Sequence, residues 1–490
     1  MTKLRRLIEK LPEIQVKGSK EVEVTGMCAF SKWVVPNNLF VAKRGSTFDG
    51  NLFIPDAIEA GASAVLTDLY DPFLKVTQLI HPDVHEMEKK LAALIYDSPS
   101  SKLEVIGITG TNGKTTTSYL IKHLLDKGGI PSGLIGSIEW IAGEHRYPSK
   151  LTCPDLITNQ KLLKEMVDIG CKAAVMEVSS HGLDQGRTDE IDFSLAIFTN
   201  LSQDHLDYHH TMEHYLGAKE KLFASLKPGK SAIVNRDDPA FAAIAASSSG
   251  KVSTYGIDQV ADLQAKDIRL SQKGMTFTVC HEGKEVRCSA HLIGRFNIYN
   301  LLAALSAALH FGISLEDACE FAKSFTRVSG RLEPVSNRLG LKIFVDHAHT
   351  DHALANVLGA LREVNKGKLI TVFGCGGDRD RQKRWKMGSV VSHLSDEAIL
   401  TNDNPRTEDP HRIAEEILEG VRSDFPLTVE LDRKKAIEAA IERAGPADTL
   451  LIAGKGHETE QILAHQVIPF SDKEVAKEAC RRKELAHQCG

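Results

Sequence analysis

The sequence predicts an α/β fold with parallel sheets, divided into three domains, and three observations predict it. The chain has 490 residues, which at roughly 100–200 residues per domain is more than one core can organise. From Leu103 onward, short apolar runs alternate with amphipathic helical stretches, the pattern of a parallel sheet wrapped by helices. After Gly330 that pattern restarts, with strands ending at Asp346, at Gly374, near Asp403 and at Gly454. The expected order is a smaller N-terminal α/β domain (1–100), a central parallel-sheet domain (101–329) and a C-terminal Rossmann-like domain (330–490).

Each element has its own signal. Leu4, Leu7, Ile8 and Leu11 have helical spacing among charges and lack the unbroken apolar core of a signal peptide. Leu39–Ala42 and Ala64–Leu66 are short strands, and the polar stretch Asp97–Ser101 reads as a linker. Strands follow at Leu103–Ile108, Ala173–Val178, Leu195–Thr199 and Ala232–Val234. Met275–Cys280 and Glu285–His291 look antiparallel, and a helix spans Tyr299–Phe311. In doubly wound sheets, ligands bind beyond the carboxyl ends of the strands, where the polar residues singled out below fall.

Composition narrows the function classes. Hydrophobic residues are 42% and charged residues 26%, ordinary for a globular chain. The net charge is -5, so no basic excess drives nucleic-acid binding. Nine scattered cysteines with no CxxC pair form neither a disulfide framework nor a zinc ribbon; reduced thiols in a cytosolic protein are the expectation. No apolar run approaches the roughly 20 residues that span a bilayer.

The strand Leu103–Ile108 runs into Gly110-Thr111-Asn112-Gly113-Lys114-Thr115-Thr116 and then a helix, the context a phosphate loop requires. Glycines let backbone N–H groups approach phosphate oxygens, Lys114 supplies a cation, and the Thr115 hydroxyl can hold Mg²⁺. The spacing is the short GxxGKT form, since GxxxxGK[ST] would need glycine at Ile108.

Further on, Glu177 stands at a strand end, and Asn200 leads into Asp204-His205-Leu206-Asp207-Tyr208-His209-His210. Oxygen ligands beside nucleotide phosphates suit Mg²⁺. The His/Asp density also fits a zinc hydrolase, and any single histidine is more often a satisfied loop residue. Lys219, taken alone, reads as a helix surface lysine.

Together the segments resemble the Mur ligase family. They are the loop, Glu177-Val178-Ser179-Ser180-His181-Gly182-Leu183, Thr199–Asp207, Gly294-Arg295-Phe296-Asn297-Ile298-Tyr299-Asn300 and Gly330-Arg331-Leu332-Glu333. The loop alone would also fit folylpolyglutamate synthetases. The resemblance implies a cytoplasmic, monomeric, ATP-dependent amide ligase of peptidoglycan precursor synthesis. It has small-molecule substrates and neither a nucleic-acid partner nor a membrane span. Its first domain takes the UDP-sugar, its second ATP and its third the incoming amino acid. ATP would phosphorylate a substrate carboxylate, and an amine would displace the phosphate.

By position, the resemblance assigns ATP to Gly110–Thr116, Asn297, Arg331 and Asp346, with Asn300 beside them. Metal binding falls to Thr115, Glu177, His205 and Lys219, where Lys219 matches a lysine the family carbamylates to hold a second Mg²⁺. Lys114, His205 and Lys219 are the expected catalytic residues. Ser31, Thr152, Cys153, Ser179, Gln185 and Arg187 match contacts to the UDP-sugar peptide. This chain departs from the family at Cys153, at Phe30 and Lys32 around Ser31, and at His347 and Asp351.

The tetrad Asp403-Asn404-Pro405-Arg406 resembles the signature of ligases that add meso-diaminopimelate to UDP-N-acetylmuramoyl-L-alanyl-D-glutamate. Diaminopimelate carries a second carboxylate that lysine lacks. Arg406 can grip it with a bidentate fork, and would face a lysine side chain as an unpaired cation. Arg379 is a second candidate, with Gly454 and Glu458 at the other end of the substrate. Read without the family, Asp403–Arg406 is a proline turn. Gly374–Gly377 is a weak dinucleotide motif. The alternatives are an L-lysine-adding ligase, a metal-dependent hydrolase and a non-catalytic nucleotide switch.

Overall fold

The computed structural model describes residues 2–45, 48–149, 151–464 and 466–489. The chain forms two compact units, neither of them continuous in sequence: residues 1–107 with 130–194, and residues 108–129 with 195–490.

The first unit carries a five-stranded sheet ordered Gln15–Lys17, Thr77–Ile80, Ala64–Thr67, Asn38–Val41, Gly26–Cys28. Its first pair is antiparallel and the rest are parallel. Leu39, Leu66 and Leu79 from this sheet join Leu4, Leu7, Leu91, Leu156 and Ile157 in one apolar core. Pro99 and Ser100 of the expected linker are buried in a 3-10 turn, and Ser100 Oγ accepts from Asp192 N at 3.1 Å, so the stretch is a packed turn. In the same unit the strand Ala173–Glu177 pairs parallel with Ser132–Ile135, which continues antiparallel to Glu139–Ala142 and His145–Pro148.

The second unit holds two sheets. In one, Phe193–Phe198, Ser231–Asn235, Lys251–Gly256 and Leu263–Ser271 run parallel. Gly274–His281 and Lys284–Ala290 add an antiparallel end, as their alternation predicts. The helix Lys114–Lys127 packs on the longer helix Arg295–His310, which begins four residues before the expected Tyr299. The other sheet is ordered Glu333–Pro334, Lys342–Asp346, Thr449–Ala453, Leu369–Phe373, Glu397–Leu400, Leu427–Val429, parallel except at its first pair. Separate apolar cores lie on its two faces, one around Leu358 and Met387, the other around Ile437 and Ala476. Asp346, the turn after Phe373, Asp403 and Gly454 therefore all stand at the carboxyl ends of its strands.

No helix among the described residues is long and apolar enough to cross a membrane. Cys28, Cys153, Cys171, Cys280, Cys288, Cys319, Cys375 and Cys480 are free thiols; the Cys489 side chain lies outside the described residues.

Candidate active site

The phosphate loop is built by two glycines with left-handed backbones. Gly110 has φ 144 and Gly113 has φ 88. A Cβ on Gly110 would overlap Thr199 Oγ1, and one on Gly113 would overlap Asn300 Oδ1, so no side chain fits at either position. Asn200 clamps the loop: its carbonyl accepts from Thr111 N at 2.8 Å and its Oδ1 from Asn112 N at 3.0 Å. Lys114 Nζ donates to the Gly110 and Thr111 carbonyls at 2.7 and 2.8 Å. Thr115 and Thr116 are buried in the first helical turn. Arg331 Nη2 donates to Thr115 Oγ1 at 3.1 Å, while the buried Arg331 Nε has no hydrogen-bond partner among the described residues.

Asp346 ends its strand fully enclosed. Burial pushes its carboxyl upward, against the charge of Arg331 and donation from Leu332 N and Ala348 N, each at 2.7 Å. Asn297 and Asn300 are buried on the helix beside the loop: Asn300 Nδ2 donates to Asn297 Oδ1 at 2.9 Å, and Thr117 Oγ1 to Asn300 Oδ1 at 3.3 Å.

The reading of Lys219 as a surface lysine is wrong. On the helix Met212–Ala224, capped by Thr211, the buried face is Tyr215, Ala218, Lys219, Leu222 and Phe223. Lys219 is 1% exposed, and its Nζ lies 4.3 Å from the centroid of the Tyr215 ring. Burial pushes its amine well below the ordinary lysine range; the charge of Lys114 adds to this and Asp204 opposes it. Burial alone would raise the Asp204 carboxyl, but His205, Lys383 and His349 outweigh it and hold it at about 2. His205 takes a left-handed backbone, φ 56, and its Nε2 lies 3.5 Å from Asp204 Oδ2. Among the described residues no group of three or more His, Cys, Asp or Glu side chains converges as a metal cage.

Asp204 and His205 line a cavity of about 190 Å³ that is open to solvent. The wall continues through His347, His349, Lys383 and Asp403 to Asn404, Arg379, Arg406 and Glu458. Part of this wall is cross-linked by hydrogen bonds. Lys455, fully buried, donates to Glu458 Oε2 at 2.6 Å and Asn404 Oδ1 at 3.0 Å, and Asn404 Nδ2 donates to Glu458 Oε2 at 2.9 Å. Arg406, φ 52, donates to the Gly377 carbonyl at 2.7 Å. Burial, then repulsion from Arg379, lowers its guanidinium pKa. Asp403 is 7% exposed and its Oδ2 has no partner among the described residues. Pro405 is buried between these side chains in sequence.

The expected UDP-sugar residues belong to the first unit. Ser31 is buried on the 3-10 turn Ser31–Trp33. Ser137 donates through N and Oγ to Glu177 at 2.8 and 2.9 Å, and its Oγ lies 3.1 Å from the Thr152 hydroxyl, which can donate to it. Glu177 thus belongs to the first unit, whereas Thr115, His205 and Lys219 belong to the second. Arg187 donates to the Cys153 carbonyl at 2.9 Å and to Gln185 Oε1 at 2.6 Å; Ser179 caps the turn after Glu177. Burial pushes the Cys153 thiol up to about 11.

Sequence reasoning missed Ser137, His349, Lys383 and Lys455. Lys383 sat in a charge run, Arg379–Lys386, that suggests a solvated face. Lys455 was flanked by glycines, and both have positive φ.

The chain is similar to known proteins along its length. Residues 23–103 match the Mur ligase family catalytic domain, 108–308 the Mur ligase middle domain and 330–456 the Mur ligase glutamate ligase domain. A protein of Caldanaerobacter subterraneus subsp. tengcongensis, named UDP-N-acetylmuramoyl-L-alanyl-D-glutamate--2,6-diaminopimelate ligase, is 42% identical over 98% of this chain and all of its own. A solved structure bearing that ligase name has a TM-score of 0.69 at 31% identity, covering 99% of each chain. The MurF ligase of Thermotoga maritima, solved in complex with ADP, shares the fold with a TM-score of 0.68 at 18% identity, over 96% of this chain and all of that one. With its phosphate loop, its three matched segments and near-complete coverage by these relatives, the chain belongs to the Mur ligase family.

Proposed function

We propose that this chain is an ATP-dependent ligase that joins meso-diaminopimelate to UDP-N-acetylmuramoyl-L-alanyl-D-glutamate in peptidoglycan precursor synthesis. The observation that carries this reading is the charge pattern of the cavity in the unit that also holds the phosphate loop. Among its lining residues, the guanidiniums Arg379 and Arg406 stand with the carboxylates Asp403 and Glu458, while Asp204, Asp207, Asp380 and Lys383 also line it. The first four complement a diamino acid with a carboxylate at each end.

A carboxylate resists attack by an amine, and phosphorylation gives it a leaving group. Lys114 and the loop N–H groups hold the nucleotide phosphates, and Arg331 adds charge at Thr115. The γ-phosphoryl group passes to the acceptor carboxylate, giving an acyl phosphate and ADP. The amine of the diamino acid then displaces phosphate. Asn297 and Asp346 belong to the nucleotide end in this reading. In this reading residues 1–100 bind the UDP-sugar, 101–329 ATP and 330–490 the amino acid, and the acceptor also draws on the second segment, since Thr152, Cys153, Ser179, Gln185 and Arg187 join Ser31 in contacting it. The enzyme acts as a cytoplasmic monomer.

The residues fit Mg²⁺. Thr115 offers a hydroxyl, Glu177 a carboxylate and His205 an imidazole. The desolvated amine of Lys219 fits carbamylation, because only a neutral amine adds CO₂. Thr115, His205 and carbamylated Lys219 of the second unit would hold the metal; Glu177, a further candidate ligand, accepts from Ser137 within the first unit. When bound, Mg²⁺ neutralises phosphate charge and makes the γ-phosphorus easier to attack.

The deciding experiment incubates the protein with ATP, the UDP-sugar dipeptide and either meso-diaminopimelate or L-lysine, and reads the products by mass spectrometry. A diaminopimelate tripeptide with ADP and phosphate is expected. Tripeptide from lysine alone, or ADP without an amide, would overturn the proposal.

A further inference from the structure

Lys383 opens the helix Lys383–Leu394 and is 6% exposed. Its neighbour Arg384 is fully buried and satisfied, with Glu408 at 2.9 Å and Glu416 at 2.7 Å. Lys383 has no such mate: among the described residues its Nζ makes no hydrogen bond and no ion pair. Enclosing an ammonium without an acceptor is costly. A fold retains one where a substrate supplies the acceptor, and Lys383 lines the cavity.

Its place along the cavity narrows which acceptor. Neighbouring charges order the second unit. Lys114 of the loop acts on Lys219, and so does Asp204. Asp204 in turn feels Lys383 and His349. His349 feels Asp403, and Arg406 feels Asp403 and Glu458. Geometry agrees: Lys383 lines the same cavity as Asp204 and as Asp403, Arg406 and Glu458, and its helix is tied to the segment that clamps the phosphate loop, where Lys386 Nζ donates to Gln203 Oε1 at 2.7 Å, so Lys383 stands between the phosphate end and the amino-acid end. The amino-acid end already has two guanidiniums for a carboxylate and two carboxylates for ammonium groups. The midpoint is where an acyl carbon activated from one side meets an amine held on the other.

We propose that Lys383 is a catalytic residue whose ammonium holds the carbonyl oxygen of the activated acyl group while the amine adds to it. This rests on the ligase reading above. In the step, the amine lone pair forms the C–N bond and the C=O π pair moves onto oxygen, where Lys383 donates a hydrogen bond to the oxyanion. The C=O bond then re-forms, the C–O bond to phosphorus breaks with its pair on the leaving phosphate, and nitrogen gives its surplus proton to solvent. Without that donor, addition slows and water competes for the acyl phosphate.

The test is Lys383→Met and Lys383→Arg in the full chain, with ADP and tripeptide quantified in the same reaction. Lys383→Met should lower kcat for tripeptide by on the order of 100-fold, as loss of one oxyanion donor does. The KM for diaminopimelate should hold, and ADP released per tripeptide should rise above the wild-type ratio. Lys383→Arg should recover much of the rate. An equal fall in ADP and tripeptide, a raised KM at unchanged kcat, or no change at all would overturn the role. Should the Met variant melt early, Lys383→Gln is read by the same ratio. A wild-type protein that makes no tripeptide would instead remove the function on which the role rests.

Discussion

Arg331 reaches Thr115: its Nη2 donates to the threonine hydroxyl at 3.1 Å, joining the segment before Asp346 to the first turn of the phosphate-loop helix. Its Nε is buried with no partner among the described residues, and Asp346 lies close enough to feel its charge. Arg331→Ala should cost about 1.5–3 kcal/mol in kcat/KM for ATP, the value of a charged hydrogen bond. Arg331→Lys should restore little, because an ammonium lacks the planar fork. Steady-state rates with ATP varied check both, and an unaltered kcat/KM in the alanine variant rejects the role.

If Lys219 is carbamylated as proposed, activity should depend on CO₂. Wild-type turnover should fall in CO₂-depleted buffer and return with bicarbonate, while Lys219→Ala stays inactive in either. The stability sign follows from the depressed amine. An unfolded lysine keeps its proton to about pH 10.4, and buried Lys219 gives it up far lower. Between those values the unfolded chain binds the extra proton, so stability rises with pH. In CO₂-free buffer, denaturant melts of wild type should gain on Lys219→Met as pH increases. A gap that stays flat, or normal turnover by the alanine variant, contradicts this.

Asp204 acts with the same sign in the acid range. Its carboxyl is held at about 2, against an ordinary 3.8. The depressed value contributes stability that is complete above the unfolded pKa and disappears as pH falls through the folded one. At about 1.4 kcal/mol per unit, that contribution is about 2 kcal/mol. Asp204→Asn should therefore be weaker than wild type at pH 5 and match it near pH 2, measured by urea unfolding. A difference that persists in acid would mean the aspartate acts through packing.

Arg406 faces Arg379, and burial adds to the strain of two like charges. A carboxylate between them relieves both costs. Arg406→Ala should lower kcat/KM for diaminopimelate by about 1.5–3 kcal/mol and leave the KM for ATP alone. Kinetics with each substrate varied decide it; diaminopimelate use at the wild-type level would remove the residue from recognition.

Much of this architecture is legible in the residues. Strand ends at Asp346 and near Gly374 and Gly454 match because parallel strands buried on both faces are continuous apolar runs, and the turn after each is polar or glycine. The phosphate loop is legible because its glycines, lysine and threonines are local. Lys219 was misread because it was judged singly. Placed on its helix, it occupies the stripe of Tyr215, Ala218, Leu222 and Phe223, and a lysine on such a stripe is enclosed. Lys383 repeats the lesson with Met387 and Val391. The Lys455–Glu458–Asn404 triangle joins residues up to 54 positions apart, which no local pattern encodes. Asp97–Ser101 looks polar, yet its backbone turn is packed, because hydroxyls paired to the backbone can be buried.

The interleaving of the two units bears on how the newborn polypeptide must assemble. Emerging from the ribosome, the helix Lys114–Lys127, with Leu120, Ile121 and Leu124 buried in the fold, precedes the helix Arg295–His310 that packs on it. Its greasy side therefore waits in water while residues 130–194 are threaded into a different body. Such delayed, long-range closure is slow and prone to sticking. Translation pauses or chaperone supply over that interval should govern the yield of usable enzyme more than any single contact in the finished molecule.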